Sequence, residues 1–185
     1  MVITSPEHQS GTDRCAEVAL QHTEYDVIIN IQGDEPYIDP AQISKVASCF
    51  NEPGTQIATL VKKVQNEQEL LNPNSPKVVV NKLSEAIYFS RSPLPYVRGQ
   101  EQQNWLRHYT YFKHIGIYGY RADILQQITK LPVSSLEKAE SLEQLRWIEN
   151  GYKIKVAETE LETYAIDTPE DLAKARKLLS ERSRA

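Results

Sequence analysis

Asp26-Val27-Ile28-Ile29-Asn30-Ile31-Gln32-Gly33-Asp34-Glu35-Pro36 is the stretch that decides the fold. Its β-branched residues run on without polar alternation until the end, the pattern of a central strand covered on both faces. Gly33 and Pro36 stop the strand and turn the chain. Working outward, strand-like and helix-like segments alternate. Residues 1–4 read as the tail of a strand and 5–11 as a polar loop. Residues 12–22 read as a helix with Ala16, Ala19 and Leu20 on one side, capped by Ser10 or Thr12. Helices are expected at 40–50, 66–71 and 122–130, and strands at 57–64, 114–120 and 153–160. A hairpin is expected from 77–83 and 86–91 around Ser84-Glu85. Ser134 and Glu137 fit a capping box and Asn150-Gly151 a stop, which predicts one helix between them. Its buried stripe would be Leu136, Ala139, Leu142, Leu145 and Ile148, with Glu140, Glu143, Gln144 and Trp147 on a neighbouring, non-core stripe. Thr168-Pro169-Glu170-Asp171 opens a last helix. The alternation predicts an α/β fold with a mainly parallel, Rossmann-like sheet. No repeat or linker interrupts it, so residues 1–185 are expected to form one domain. Residues 92–107 would be an excursion from it, a lid or subunit contact.

The 185 residues are 40% hydrophobic and 25% charged, with a net charge of -4. That is enough for one ordinary core. Lysine and arginine are dispersed, without the basic stripe that a nucleic acid requires. Arg176, Lys177, Arg182 and Arg184 fall in the last turns of the final helix, where cations complement its dipole. No apolar run approaches the roughly 20 residues of a membrane helix, and residues 1–4 are too short for a signal peptide. Cys15 and Cys49 lie in helix-like segments without metal-ligand spacing and read as buried, reduced thiols. The expectation is a cytoplasmic protein with no nucleic-acid partner and no membrane insertion.

Gln32-Gly33-Asp34-Glu35-Pro36 also carries the chemistry. Ligands of open α/β sheets bind beyond the carboxyl ends of the strands. An acidic residue there, beside a glycine that admits a ligand, suits Mg²⁺. The spacing fits equally a turn in which Asp34 only caps backbone. Asp167 follows the strand-like Tyr164-Ala165-Ile166 and precedes the last helix, where aspartate is also common for structural reasons. Residues 8–14 sit at a loop-to-helix junction whose N–H groups can meet a polar ligand or simply be capped. Tyr118 and Tyr120 share one face of their strand, which favours core packing.

Taken in order, HQSGTDR (8–14), VIINIQGDEP (27–36), NPNSPKVVV (72–80), YFSRSPLPY (88–96), HIGIYGYR (114–121), LEKAESLEQLR (136–146) and IDTPEDL (166–172) resemble the 3-deoxy-D-manno-octulosonate cytidylyltransferases, or CMP-Kdo synthetases. The resemblance covers residues 8 to about 175. It implies a nucleotide-diphospho-sugar transferase-like fold and a reaction in which CTP and Kdo give CMP-Kdo and pyrophosphate, for lipopolysaccharide synthesis. It implies Asp34 and Asp167 as catalytic ligands of Mg²⁺, and Gly11, Thr12, Arg14 and Gln32 at the nucleotide. Arg91, His114, Glu143 and Gln144 are implied at the acidic sugar. Read alone, Arg91 could pair with a surface carboxylate, and His114 could be a satisfied core histidine. A homodimer is implied, with Leu94, Pro95, Tyr96 and Trp105 as a plausible apolar contact. The resemblance also implies an Arg- and Gly-rich triphosphate loop before residue 8, which the sequence does not contain. The expectation is an N-terminally incomplete chain with impaired activity. A non-catalytic Kdo-binding or assembly subunit is the rival reading, and CMP-sialic acid synthetase the alternative enzyme.

Overall fold

The computed structural model describes residues 2–33, 35, 38–162, 172, 173 and 176. Six strands form one sheet: β1 (Val27–Asn30), β2 (Ile57–Lys63), β3 (Lys77–Val80), β4 (Ala86–Ser90), β5 (Phe112–Arg121) and β6 (Ile154–Glu158). The spatial order is β4-β3-β5-β2-β6, with β1 also paired to β5. The ten-residue β5 is the axis: β2 follows one edge, while β1 and β3 share the other at opposite ends.

The α/β class holds, but the sheet is mixed. β1, β2, β3 and β6 run the same way, whereas β5 runs against them and lies between them. Only the β2–β6 pairing is therefore parallel among the described residues. Alternation of helices and strands does not reveal which strand is inserted between which, and this is where the mainly parallel expectation fails. β1 pairs on one edge only among the described residues. Val27, Ile28 and Ile29 are half-buried and Ile31 is exposed, so β1 is less covered than a central strand. Residues 2–5 form no strand.

Helices cover both faces. On one face lie α1 (Gly11–Leu20), α5 (Ala122–Ile128) and the pair α6 (Ser135–Glu140) and α7 (Gln144–Glu149). There Ala16, Leu125, Leu145 and Trp147 pack on Ile57, Tyr118, Tyr120 and Val156. On the other face α2 (Pro40–Ser48) and the following 3₁₀ turn bring Val46 and Phe50 onto Ala58, Leu60, Ile115 and Ile117. α3 (Glu67–Leu71) and α4 (Trp105–His108) belong to a smaller cluster of Val64, Leu70, Trp105 and Tyr111. Trp105 is thus buried in its own chain, stacked on Tyr111 and edge-on to Tyr96, and is not available as an exposed contact. Tyr96 remains exposed. Leu20 lies on the outer face of α1 and is exposed, contrary to expectation.

The expected single helix from 134 to 150 is two. The capping box at Ser134 and Glu137 forms, and Gly151 stops α7 at φ +85°. Between them Ser141 adopts the left-handed conformation at φ 52°. The break has a local cause. The Glu140 carboxylate accepts from the Ser90 hydroxyl (2.7 Å) and the Arg91 N–H (2.9 Å), while Arg91 donates to the Glu140 and Ser141 carbonyls. These bonds hold the chain against the end of β4 and out of the helical path. After the break Gln144 and Trp147 are buried, whereas Ala139 is exposed, so the stripe expected for one continuous helix does not apply. The last helix, and with it Thr168 and Asp171, lies outside the described residues apart from 172, 173 and 176.

Candidate active site

The site is assembled where the α1 N-terminus, the end of β1, the middle of β5 and the α6–α7 junction meet. Ser10 caps α1: its hydroxyl accepts from the Asp13 N–H, and Asp13 accepts from the Ser10 N–H in return. This fixes the first turn, so Thr12 points inward, buried, and donates to Glu143 Oε2 at 2.8 Å. Glu143 stands immediately before α7, delivered there by the break at Ser141. A Cβ on Gly11 would lie 3.6 Å from Gln32 Oε1 and 3.8 Å from Asn30 Nδ2, so Gly11, Gln32 and Asn30 are neighbours. Gly11, Thr12, Gln32 and Glu143 therefore converge, although 131 residues separate Thr12 from Glu143.

Two tyrosines floor this locus. Tyr118 and Tyr120 stack at 5.9 Å, and the Trp147 ring stands edge-on to both. They pack in the core as expected, but their polar ends matter. The Tyr118 hydroxyl is buried without a hydrogen-bond partner among the described residues, whereas the Tyr120 hydroxyl lies against Thr12 and the Asn30 amide. A hydroxyl left unpaired costs free energy unless a partner arrives, which marks a place prepared for a polar ligand. Burial raises both phenols well above their usual range, so they stay neutral. Burial also raises the Glu143 carboxyl, opposed by its bonds to Thr12 and Ser10.

His114 reaches the same floor from the other side. Thr59 and Leu60 pair with Tyr118 and Ile115, leaving Gly116 and Ile117 as a bulge in β5. Bulges re-aim side chains. Here the bulge brings His114 to 5.1 Å from Tyr118 and 5.3 Å from Phe89, ring to ring. Burial lowers the His114 pKa from 6.5 to about 4, so the ring is neutral near pH 7. Beyond it opens a cavity of about 240 Å³ lined by Glu35, Asn74, Pro76, Lys113, Gly116 and Glu162. Gly116 keeps this approach open: a Cβ would stand 3.2 Å from the Glu35 carboxylate, a tight contact that the glutamate would have to yield to. Lys113 is buried between Glu69 (2.8 Å) and Glu162 (2.6 Å).

The Cytidylyltransferase family profile matches residues 1–154. A protein of Parabacteroides distasonis named 3-deoxy-manno-octulosonate cytidylyltransferase is 59% identical over 98% of this chain and 74% of its own length. The chain belongs to the 3-deoxy-manno-octulosonate cytidylyltransferase family. A relative of the same name from Bacteroides thetaiotaomicron is 54% identical over 99% of this chain and 75% of its own. Among solved structures, a CMP:2-keto-3-deoxy-manno-octonic acid synthetase complexed with CTP matches with a TM-score of 0.87. It is 41% identical, over 98% of this chain and 72% of that one. The 4-diphosphocytidyl-2C-methyl-D-erythritol synthase of Anaerococcus prevotii, at 12% identity and a TM-score of 0.55, shares the fold alone.

In this cytidylyltransferase, the expected residues do not all stand together. Gly11, Thr12, Gln32 and Glu143 gather at one locus, with Gln144 buried next to Glu143 in the chain and His114 beside the locus across Tyr118. Arg14 is exposed and turned to the amino-terminal segment, donating to the Thr4 hydroxyl (2.8 Å) and the Ser5 carbonyl (3.0 Å). Arg91 donates to the carbonyls of Pro73, Glu140 and Ser141, so its hydrogen bonds build the α6–α7 junction. Among the described residues its side chain pairs with no surface carboxylate. Asp34 and Asp167 lie outside the described residues. Among the described residues no cluster of three His, Cys, Asp or Glu side chains could hold a metal, and no helix is long and apolar enough to cross a membrane. Asn30 and Thr59 were not candidates in the sequence, and Glu140 was expected only on the non-core stripe. The available signal was a polar residue interrupting an apolar strand, Asn30 in VIINI and Thr59 in IATLV.

Proposed function

We propose that this chain transfers CMP from CTP to the anomeric hydroxyl of Kdo, releasing pyrophosphate. The observation that carries the reading is the 59% and 54% identity, over 98% and 99% of this chain, to relatives of that name. The buried Tyr118 hydroxyl, without a hydrogen-bond partner among the described residues and close to Glu143, supports it, since a sugar offers both donors and acceptors. The sugar oxygen attacks the α-phosphorus, and the bond to the β,γ-pyrophosphate breaks. The protein's part is positioning and charge stabilisation. Gly11, Thr12 and Gln32 form the nucleotide side and Glu143, Gln144 and His114 the sugar side, with Arg14 adding positive charge from the first turn of α1. Arg91 supplies the positive field that an acidic sugar calls for.

Asp34 and Asp167 would hold Mg²⁺, because two carboxylates completed by phosphate oxygens and water are the donor set this ion prefers. Bound there, Mg²⁺ neutralises phosphate charge and orients the reacting groups. EDTA is expected to abolish pyrophosphate release and excess Mg²⁺ to restore it. Activity that survives complete chelation would refute the metal assignment. We further propose a homodimer acting in the cytoplasm in lipopolysaccharide synthesis; a monomeric mass by light scattering would refute the dimer.

The acceptor is tested by comparing kcat/KM for Kdo and N-acetylneuraminate with CTP. A strong preference for Kdo is expected. Preference for the sialic acid would move the chain to the other acidic-sugar cytidylyltransferases. Kdo binding without turnover would favour a non-catalytic subunit.

A further inference from the structure

Thr59 is fully buried in the middle of β2, at the β5 bulge. Its hydroxyl carries a single hydrogen and has three polar neighbours: the Ile117 carbonyl at 2.7 Å, the Ile115 carbonyl at 3.3 Å and His114 Nε2 at 3.0 Å. A carbonyl cannot donate, so the hydrogen must go to the carbonyls, and the short Ile117 contact claims it. The 3.0 Å contact with the imidazole is then attractive only if Nε2 carries a hydrogen and donates to Thr59. In a neutral ring this leaves Nδ1 unprotonated, with its lone pair free. No hydrogen bond to Nδ1 forms among the described residues, and His114 lines the cavity beside Lys113 and Gly116.

We infer that Thr59 is a positioning residue that fixes His114 as the Nε2–H tautomer and so presents Nδ1 as a hydrogen-bond acceptor for a sugar hydroxyl. The inference rests on the proposed Kdo reaction for its ligand, though not for its tautomer. It assigns His114 a role distinct from that of a cation: the ring reads a hydroxyl and leaves the sugar carboxylate to other groups. It also explains a threonine in an otherwise apolar strand. Valine would fill the space but give Nε2 no acceptor and the bulge carbonyls no donor.

Long-range ¹H–¹⁵N correlation spectra of histidine-labelled protein test the tautomer, with the His114 signals assigned by their loss in His114→Gln. Near neutral pH, Nε2 is expected to be the protonated nitrogen and Nδ1 the unprotonated one. Thr59→Val should mix the tautomers and raise KM for Kdo about tenfold, with KM for CTP little changed. Thr59→Ser, which keeps the hydroxyl, should restore both. A wild-type ring protonated on Nδ1 would overturn the proposal, as would a Thr59→Val enzyme with unchanged KM for Kdo or a serine variant as impaired as the valine. If the wild-type protein does not turn over Kdo, the functional reading fails with the sugar role of His114, whereas a wrong tautomer sinks this inference alone.

Discussion

Replacing Arg146 with methionine is expected to cost about 3–5 kcal/mol of folding stability. Arg146 lies on α7 and Glu137 at the start of α6; their guanidinium and carboxylate meet in two bonds of 2.6 and 2.7 Å. Both side chains are nearly dry, with 11% and 13% of their surface exposed. Methionine would fill the volume of the stem but strand the carboxylate of Glu137 without its counter-charge. The pair is also the brace of the site, since it ties the two helices across the break that delivers Glu143. The loss should be specific to the unpaired charge. Adding Glu137→Gln to the Arg146 variant should recover a large part of it, a non-additivity that urea denaturation can measure.

The same pair sets a pH dependence. Its hydrogen bond to Arg146 holds the Glu137 carboxyl below its ordinary 4.5. Below 4.5 the unfolded chain therefore binds more protons than the folded one, and stability falls with pH. The contribution is fully present above 4.5 and is lost as the pH drops through the folded-state value. The Arg146 variant should show a smaller loss across that acid window than the parent protein. An equal slope would show that another carboxylate dominates.

The second large effect is expected at Gly119, near the C-terminal end of β5. Glycine in a strand interior usually weakens it, so alanine would ordinarily help. Here a Cβ would stand 2.6 Å from Phe50 Cε2 and 2.8 Å from Val46 Cγ1, and both side chains are buried. Phe50 has little freedom to retreat, because its carbonyl accepts from Arg121 and the guanidinium lies 5.4 Å from its ring centre. Gly119→Ala should therefore cost about 1–3 kcal/mol. Val46→Ala in the same chain should remove part of the clash, so the double variant should be more stable than the sum of the two singles. Strict additivity would contradict the steric account.

These two sites also show what the sequence discloses. The capping box at Ser134 and Glu137, the stop at Gly151 and the hairpin between β3 and β4 were legible because each depends on residues a few positions apart. The inward contact of Thr12 was not, because its partner Glu143 lies 131 residues further along the chain. The break at Ser141 was hidden for the same reason: its cause is the grip of Ser90 and Arg91 on Glu140, about 50 residues away. A sequence that reads as one amphipathic helix is thereby split, and Gln144 and Trp147 exchange an outer stripe for the core. The bulge in β5 was invisible too, since it exists only in the register with β2. Of the residues implied by the family resemblance, Gly11, Thr12, Gln32 and Glu143 stand together, Arg14 and Arg91 bond elsewhere, and Asp34 and Asp167 lie outside the described residues. Asn30 and Thr59 were recoverable only as polar interruptions in apolar strands.

The central claim is that the protein joins CMP to an acidic sugar. It is tested most directly by ³¹P and ¹H NMR of the protein with CTP, Kdo and Mg²⁺. The account predicts loss of the CTP triphosphate signals, stoichiometric pyrophosphate, and a new phosphodiester resonance coupled to the Kdo ring. Consumption of CTP without a Kdo-linked phosphodiester, or unchanged CTP while Kdo is bound, would contradict it.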